Sequence, residues 1–413
     1  MKGECLSDMQ LAPPTKRALL LTVFFFLVSS CFCAQDLTPP IPERLVIHSA
    51  VLGEDRVVFV RSPRRYSEGN TGHPVLYLTD GDSDINEIGA VMDFLASNDR
   101  MPELIVVGIM HTDRYRDLTP TRADITKRDG TIVFRVPTSG GADNFLKFLD
   151  TELIPFVEKR YRTEPFRVLV GHSLGGLFAL DALITKPYIF QGYICISPTL
   201  EWDNEVILAR TRDFLASRKH LKATIFFSDS DEGTVVPRFK EDFDELRRIF
   251  GTNAIAGLEW DSDVMTDEDH DSGVLRAHYA GLRRIFAGWQ MPKERATQLP
   301  AGGVSGIEEH YASLSHRFGY TISSEHAIND LGYQLLATQK LKEALATFQR
   351  NVELHPESAN AYNSLADCYE ASGLTELAKQ NVRKAIELAS QNNSPQLTEL
   401  KKHLSLLNSG HTE

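Results

Sequence analysis

The sequence predicts an α/β fold, with helices on both faces of a mostly parallel central sheet, followed by a small all-α region. Over residues 41–290, short runs rich in Val, Ile and Leu alternate with stretches of helical periodicity. Nearly continuous apolar strands are typical of a parallel sheet that is buried on both faces. After residue 325 the pattern changes to paired helices with a repeat of 34 residues. A chain of 413 residues is long enough to hold one large domain and a smaller one.

The first residues have the composition of a targeting segment. Lys16 and Arg17 precede an apolar run over residues 18–28, which is too short to span a bilayer as a stable helix. We predict a signal peptide over residues 1–34 and export across the inner membrane, to the periplasm or beyond it. The string V-S-S-C also resembles a bacterial lipobox, which would place a lipid anchor on Cys31; cleavage without a lipid fits equally well.

The composition of the whole chain is that of a soluble globular protein, with 42% hydrophobic and 24% charged residues. The formal net charge is −12 and no basic stripe is present, so we predict no binding of nucleic acid. Cys195 and Cys368 lie in apolar surroundings in different predicted domains. We expect both to be buried free thiols rather than members of a disulfide.

The β–α alternation can be followed along the chain. Residues 44–61 alternate between apolar and polar around Gly53, which predicts a hairpin. A long polar loop is expected over residues 111–121. Further strands are predicted over residues 75–80, 104–109, 166–170, 193–196, 223–227 and 256–260, and helices over residues 88–98, 142–160, 174–184 and 274–289.

The string G-H-S-L-G, centred on Ser173, lies between a buried strand and a helix. This is the context of the G-x-S-x-G nucleophile elbow of α/β-hydrolases, in which flanking glycines permit a tight turn. We predict that Ser173 is a nucleophile. The backbone N–H of Leu174, at the start of the helix, is predicted to hold a developing oxyanion together with an N–H of Gly81 or Asp82.

A serine nucleophile needs a base, and α/β-hydrolases place the acid and then the histidine after the serine. His270 follows the last predicted strand and is the predicted base. His220 is predicted to lie in a helical, lysine-flanked stretch ahead of the acid candidates, and His278 to lie within the closing helix. His172, inside the tight turn itself, is interpreted as a packing residue.

The acid is expected in the loop after the strand at residues 223–227, where Asp229, Asp231 and Glu232 stand close together. Glu232 is the first choice because it lies furthest beyond the strand and is followed by Gly233. Asp231 comes next. Their position in the sequence alone does not show which of the three neighbouring carboxylates is the acid.

Five motifs in chain order resemble the esterase D-like family of α/β-hydrolases, which includes enterobactin-type siderophore esterases and S-formylglutathione hydrolases. They are D-G-D, D-R-Y-R-D-L-T-P-T, G-H-S-L-G-G-L-F-A-L, S-P-T-L-E-W-D and D-E-D-H-D-S. The resemblance covers about residues 41–289. It implies a Ser–His–acid site without a metal or an organic cofactor, in which Ser173 corresponds to the nucleophile, His270 to the base and the loop with Asp231 and Glu232 to the acid.

Two substrate-binding residues are predicted near these motifs. Many family members have an aromatic pair where this chain has Glu201 and Trp202, so the pocket around Trp202 departs from the family pattern. In the charged loop, Arg114 could bind an anionic or catecholate substrate through paired hydrogen bonds, or it could hold the loop in place. Asp117 is interpreted as structural.

The C-terminal part shows an internal repeat. Residue pairs 34 positions apart share small or apolar character: Leu331 and Leu365, Gly332 and Ala366, Ala344 and Ala378, and Phe348 and Val382. This spacing predicts two tetratricopeptide (TPR) repeats over residues 325–400. The resemblance agrees, because some secreted family members carry such an extension. A connector with one short helix (307–318) is predicted over residues 291–324, and a tail over residues 401–413.

The sequence therefore predicts a secreted serine carboxylic-ester hydrolase that forms an acyl-enzyme and acts on a siderophore-type or other small ester. Two alternatives remain: an acyltransferase with the same site, and a scaffold whose repeats bind a protein or peptide while the hydrolase domain is inactive. The sequence leaves open the acyl and alcohol groups, the oligomeric state and what the repeats bind.

Overall fold

The structure is a computed structural model that describes residues 39–64, 66, 71–126, 129–230, 237–392 and 394–409. The predicted signal peptide with Cys31, and the acid candidates Asp231 and Glu232, lie outside the described residues. Residues Ile41–Glu413 form one compact unit. In the described part of the chain, every helix is too short or too polar to cross a bilayer.

An eight-stranded sheet with the order β1-β2-β4-β3-β7-β8-β9-β10 forms the centre of the fold. The hairpin β1–β2 and the pair β2–β4 are antiparallel, whereas the pairs from β4 to β10 are parallel. The predicted fold class is thus confirmed. The strands are β1 (Glu43–Ser49), β2 (Glu54–Arg61), β3 (His73–Leu78), β4 (Ile105–Ile109), β7 (Thr163–His172), β8 (Gly192–Ile196), β9 (His220–Ser230) and β10 (Ala256–Met265); β5 (Ile125–Thr126) and β6 (Ile132–Phe134) form a separate small hairpin.

Helices cover both faces of the sheet. One face packs against α3 to α7 and the other packs against α1 and α8. The apolar side chains of the parallel strands are almost wholly buried, as their sequences predict. The helices are α1 (Gly81–Ser97), α2 (Arg114–Leu118), α3 (Ala142–Phe148), α4 (Ile154–Arg160), α5 (Leu174–Thr185), α6 (Trp202–Ala216), α7 (Pro237–Gly251) and α8 (Gly273–Ile285).

Several elements differ from the sequence predictions. Helix α1 begins at Gly81 rather than at residue 88, so the D-G-D motif forms a helix start; Asp82 and Asp84 in its first turn suit the positive helix end. The expected polar loop contains α2, whose start is capped by the Asp113 side chain accepting from the Arg116 N–H. The predicted helix over residues 142–160 contains a π-helical turn, Leu149–Leu153, which joins α3 to α4 just before Pro155.

Among the described residues, six further helices follow the hydrolase fold: α9 (Gly303–Phe318), α10 (Glu325–Ala337), α11 (Leu341–Leu354), α12 (Ala359–Ala371), α13 (Thr375–Gln391) and α14 (Leu397–Ser409). The starts of α10 and α12 lie 34 residues apart, as do those of α11 and α13. Gly332 packs on the Phe348 ring, where a Cβ would lie 2.5 Å from Cε1. The paired helices therefore have the predicted period. The region expected to be a tail contains most of α14, and residues 410–413 lie outside the described part.

Candidate active site

Ser173 lies in a sharp turn between β7 and α5, with φ 59° and ψ −116°. Such a conformation costs a non-glycine residue about 1–3 kcal/mol, which the surrounding packing must supply. A Cβ on Gly171 would lie 2.2 Å from the Gly175 backbone, and one on Gly175 would lie 2.3 Å from the Thr79 hydroxyl. Only glycine at these two positions permits so close a turn, and this explains the G-x-S-x-G spacing.

Hydrogen bonds to the neighbouring strand hold the turn in place. The Ser173 N–H donates to the Ile196 carbonyl at 2.9 Å, and the Thr199 N–H donates to the Ser173 carbonyl at 3.2 Å. The Ser173 hydroxyl lies 3.3 Å from the Thr199 hydroxyl. Thr199 was not among the predicted site residues, although the S-P-T string after β8 contains it.

His270, the predicted base, lies in the turn between β10 and α8. The structure brings His270 and Ser173 into the lining of the same two cavities. The other two histidines lie elsewhere. His278 is buried inside α8 with Nδ1 3.1 Å from the Glu87 carboxylate, and His220 begins β9 rather than lying in a helix, because the strand starts three residues earlier than predicted.

Among the acid candidates, Asp229 is the one that the structure describes. It is the penultimate residue of β9, is 7% exposed, and lines one cavity with Ser173 and His270. The strand is longer than predicted and includes this carboxylate. The position of Asp229 in the lining of this cavity is consistent with a role as the acid of a Ser–His–acid site.

His172 packs against His270, with ring centroids 4.5 Å apart. Burial, together with the neighbouring His270, lowers the pKa of His172 to about 4. His172 is therefore neutral near pH 7, which agrees with its interpretation as a packing residue.

The predicted oxyanion donors lie at two helix starts. Leu174 is the first residue of α5 and lines a cavity with Ser173. Asp82 lines the second cavity, near the start of α1. Gly81 is buried against β4, where a Cβ would lie 2.2 Å from the Gly108 backbone. First-turn N–H groups lack helical partners and attract negative charge, as an oxyanion hole requires.

Arg114 lies beside the nucleophile and is held by a carboxylate. Its guanidinium donates to both oxygens of Asp80, at 2.7 Å and 3.1 Å, and to the His172 carbonyl at 2.9 Å. The Arg114 side chain is 35% exposed and lines both cavities. The paired contact with Asp80 fixes this arginine at the wall of both cavities, and substrate binding by Arg114 stays a prediction.

The rest of the charged loop is anchored by a buried ion-pair network. Arg56 has no exposed side-chain surface and lies 2.7 Å from Asp117, which also contacts His111 at 3.0 Å. Burial opposes ionisation of Asp117, but its contacts with His111 and Arg56 lower its pKa on balance. Arg116 pairs with Glu54 at 2.6 Å. The structural role predicted for Asp117 agrees with this network.

One cavity, here called the aromatic pocket, has a volume of about 360 Å³. The indole N–H of buried Trp202 donates to Thr121, and Tyr115 lies between Trp202 and Phe134 with ring centroids 6.4 Å from each. The three residues after Trp202 all have positive φ, an uncommon left-handed turn at the pocket wall. The lining of the aromatic pocket includes Tyr115, Ser173, Thr199, Trp202, Asp229, Phe239, Phe243 and His270.

The second cavity, here called the acidic cleft, has a volume of about 740 Å³ and meets the aromatic pocket at Ser173, His270 and Arg114. Burial raises the pKa of Asp84 to about 6, so this group titrates near neutral pH. Five carboxylates line the cleft: Asp80, Asp82, Asp84, Glu87 and Asp271.

A serine elbow, a histidine after the last strand and an eight-stranded sheet define the class of α/β serine hydrolases. Residues 49–234 match the family described as "Putative esterase". The recognition of an esterase-family hydrolase is thus confirmed for the matched residues.

Two curated relatives are similar to part of the chain. It is 34% identical over 162 residues to the ferri-bacillibactin esterase BesA of Bacillus subtilis, a match covering 36% of this chain and 55% of that protein. It is 36% identical over 154 residues to the siderophore enterobactin esterase of Emericella nidulans, covering 34% of this chain and 51% of that protein. The chain thus spans about half the length of these relatives.

Solved structures show the same fold. An IroE-like serine hydrolase from Shewanella oneidensis superposes with a TM-score of 0.66 at 24% identity, over 76% of this chain and 99% of its own. The BES protein from Bacillus cereus superposes with a TM-score of 0.52 at 25% identity, over 61% of this chain and 98% of its own.

Proposed function

We propose that this protein is a serine carboxylic-ester hydrolase. The observation that carries the proposal is the strained Ser173 elbow, whose hydroxyl lines the same two cavities as His270. The family match and the named relatives, both esterases, support the reaction class.

In the proposed mechanism His270 removes the proton from the Ser173 hydroxyl as Oγ attacks the ester carbonyl carbon. Negative charge develops on the carbonyl oxygen and is stabilised by N–H groups at the starts of α5 and α1. The C–O bond breaks as His270 returns the proton to the departing alcohol. Water then attacks the acyl-enzyme, with His270 again as base, and Ser173 is released with a carboxylic acid. An acidic partner in the loop after β9 (Asp229, Asp231 or Glu232) orients His270.

For the substrate we propose a small ester of the siderophore type. One curated relative is named as a siderophore enterobactin esterase and another as a ferri-bacillibactin esterase. The aromatic pocket offers ring faces from Tyr115 and Trp202 beside Ser173. Arg114, whose position is fixed by Asp80, could bind a carbonyl or an anionic group of the substrate.

We further propose export of the chain, with residues 1–34 as a signal peptide, and TPR character for residues 325–400. Lys16 and Arg17 before an apolar run support export. The 34-residue spacing of the helix starts supports the repeats, which could bind a protein or peptide.

The proposal is tested by turnover of p-nitrophenyl acetate and of a catecholate trilactone by the full chain and its variants. Ser173→Ala and His270→Ala should each lower kcat/KM by at least ~10³-fold, since nucleophile and base act as a unit. Ser97→Ala and His326→Ala change an exposed serine and an exposed histidine and are the matched controls. Turnover that persists in the Ser173 and His270 variants would refute the site.

A further inference from the structure

A cluster of three metal-ligating side chains lies in the C-terminal helices, far along the chain from the candidate active site. Asp367 and Glu370 stand one turn apart on α12, and His403 faces them from α14. We propose that these three residues bind a divalent transition-metal ion of the zinc type, which joins α14 to the second helical pair.

The distances within the cluster match ligands that share an ion. His403 Nε2 lies 3.3 Å from a Glu370 oxygen and 3.7 Å from an Asp367 oxygen, and the three ligand atoms lie within 4.8 Å of one another. Zinc ligands at about 2.0–2.2 Å in a tetrahedron are about 3.3–3.6 Å apart. A direct charge-assisted hydrogen bond would be shorter, about 2.7–2.9 Å. The His403–Glu370 contact is within hydrogen-bond reach, and both separations are also those expected of ligands around one ion.

Residues outside the cluster orient the ligands as metal sites require. His403 Nδ1 lies 2.9 Å from the Asn363 side-chain oxygen, which accepts its proton. This bond selects the tautomer whose Nε2 lone pair is directed at the two carboxylates, where an ion could accept it. The Tyr333 hydroxyl donates to Asp367 Oδ2 at 2.6 Å, which leaves Oδ1 for the cluster centre.

Charge and access also suit a divalent cation. Two carboxylates and a neutral imidazole balance a charge of +2, and mixed oxygen and nitrogen ligands favour zinc over calcium or magnesium. The side chains of the three ligands remain 18–33% exposed, so an ion and a fourth ligand from water can enter.

The first test is calorimetric titration of the full chain, freed of metal with a chelator, with zinc chloride. The wild type should bind one more equivalent of zinc than His403→Ala or Glu370→Gln, and the Gln variant keeps the shape of the side chain if the Ala variant is unstable. The matched control is His326→Ala, which removes an exposed histidine 3.8 Å from Asp330, a pair that has no third ligand among the described residues. This control should retain the extra equivalent.

A second readout separates a metal site from a simple ion pair. Zinc should slow amide hydrogen exchange in α14 at least ~10-fold in the wild type and in His326→Ala, but not in the two ligand variants. Zinc bound elsewhere, for example at His270, would be common to all four proteins and would cancel. Equal zinc stoichiometry in wild type and His403→Ala, or zinc-independent exchange in α14, would overturn the proposal.

Discussion

The position of Ser173 depends on neighbouring glycines, which have no side chain. Gly171, Gly175 and Gly176 pack closely against backbone atoms or against the ends of β3 and β8. The tight turn therefore leaves no room for a Cβ at these three positions. This is why the nucleophile could be predicted from sequence: a steric requirement leaves a fixed pattern of glycines. The acid leaves no such pattern, because any of three carboxylates after β9 satisfies the chemistry.

Because the pKa of His172 is lowered in the folded protein, we expect the protein to lose stability in acid. Its pKa is about 4 in the folded chain against an ordinary 6.5, so between these values the unfolded chain binds a proton that the folded chain does not. The free energy of unfolding should therefore fall as pH is lowered from 6.5 towards 4. From pH 6.5 to pH 5 this one group should contribute a loss of about 1–2 kcal/mol.

Urea denaturation of wild type and His172→Gln at pH 6.5 and pH 5 measures the effect. The variant should lose less stability than the wild type over this range, whereas His326→Gln, at an exposed histidine, should behave as the wild type does. Comparing variants at each pH cancels the opposite contribution of Asp84, whose raised pKa of about 6 favours the folded state as pH falls. Parallel losses in wild type and His172→Gln would contradict this account.

Helix α2 shows how an element can depend on a distant strand. Five residues cannot form a stable helix alone, so α2 depends on its cap at Asp113 and on the contact of Asp117 with Arg56 of β2. The sequence of this segment predicts a loop, because its charged residues show no helical periodicity. Part of its support comes from residues distant in the chain, such as Glu54, which lies 62 residues before Arg116, and a local pattern does not contain such contacts.

Removing the buried cation should therefore destabilise the protein strongly. Arg56→Met leaves the Asp117 carboxylate buried without its arginine partner on β2, and we expect a loss of about 3–5 kcal/mol in the free energy of unfolding. Ester turnover should fall as well, because α2 carries Arg114. Urea denaturation and kcat/KM measure the two effects.

Lys240→Met is the control, since it breaks an exposed pair with Asp244 and should cost less than about 0.5 kcal/mol. Similar stabilities for the Arg56 and Lys240 variants would show that the buried network does not hold α2.

At the scale of the whole molecule, the connector helix α9 contributes to the core of the hydrolase domain. Phe318, at the end of α9, packs edge-on against Phe166 of β7 at 5.0 Å and stacks on Phe286 at 5.5 Å. The connector helix is thus part of the hydrolase core rather than a flexible link. The sequence predicts a short helix here. The residues against which it packs could not be predicted, because helical periodicity shows only that one face of the helix is apolar.

Truncating this aromatic contact should weaken the hydrolase domain itself. Phe318 is 3% exposed, and Phe318→Ala should lower the free energy of unfolding by about 3–5 kcal/mol. Phe94→Ala changes a phenylalanine that is 58% exposed and should cost less than about 1 kcal/mol. Thermal or urea unfolding followed by ester turnover distinguishes the two. Loss of turnover at the same denaturant concentration in both variants would mean that α9 does not support the hydrolase.

The parallel sheet and several of its helices could be predicted from local patterns of apolar residues, and the 34-residue period from similar residues at that spacing. Helix α14 and the left-handed turn after Trp202 could not, because each depends on packing between distant segments. The aromatic pocket and the acidic cleft likewise form from loops that meet only in the folded chain.

The most direct test of the central claim is labelling of the full chain with a fluorophosphonate, followed by peptide mass spectrometry. We expect one phosphonylated residue, Ser173. Labelling of His270→Ala should be at least ~10²-fold slower than labelling of the wild type, because the base activates the hydroxyl. Absence of labelling in a folded sample, or labelling at another serine, would contradict the claim that the elbow is a working nucleophile.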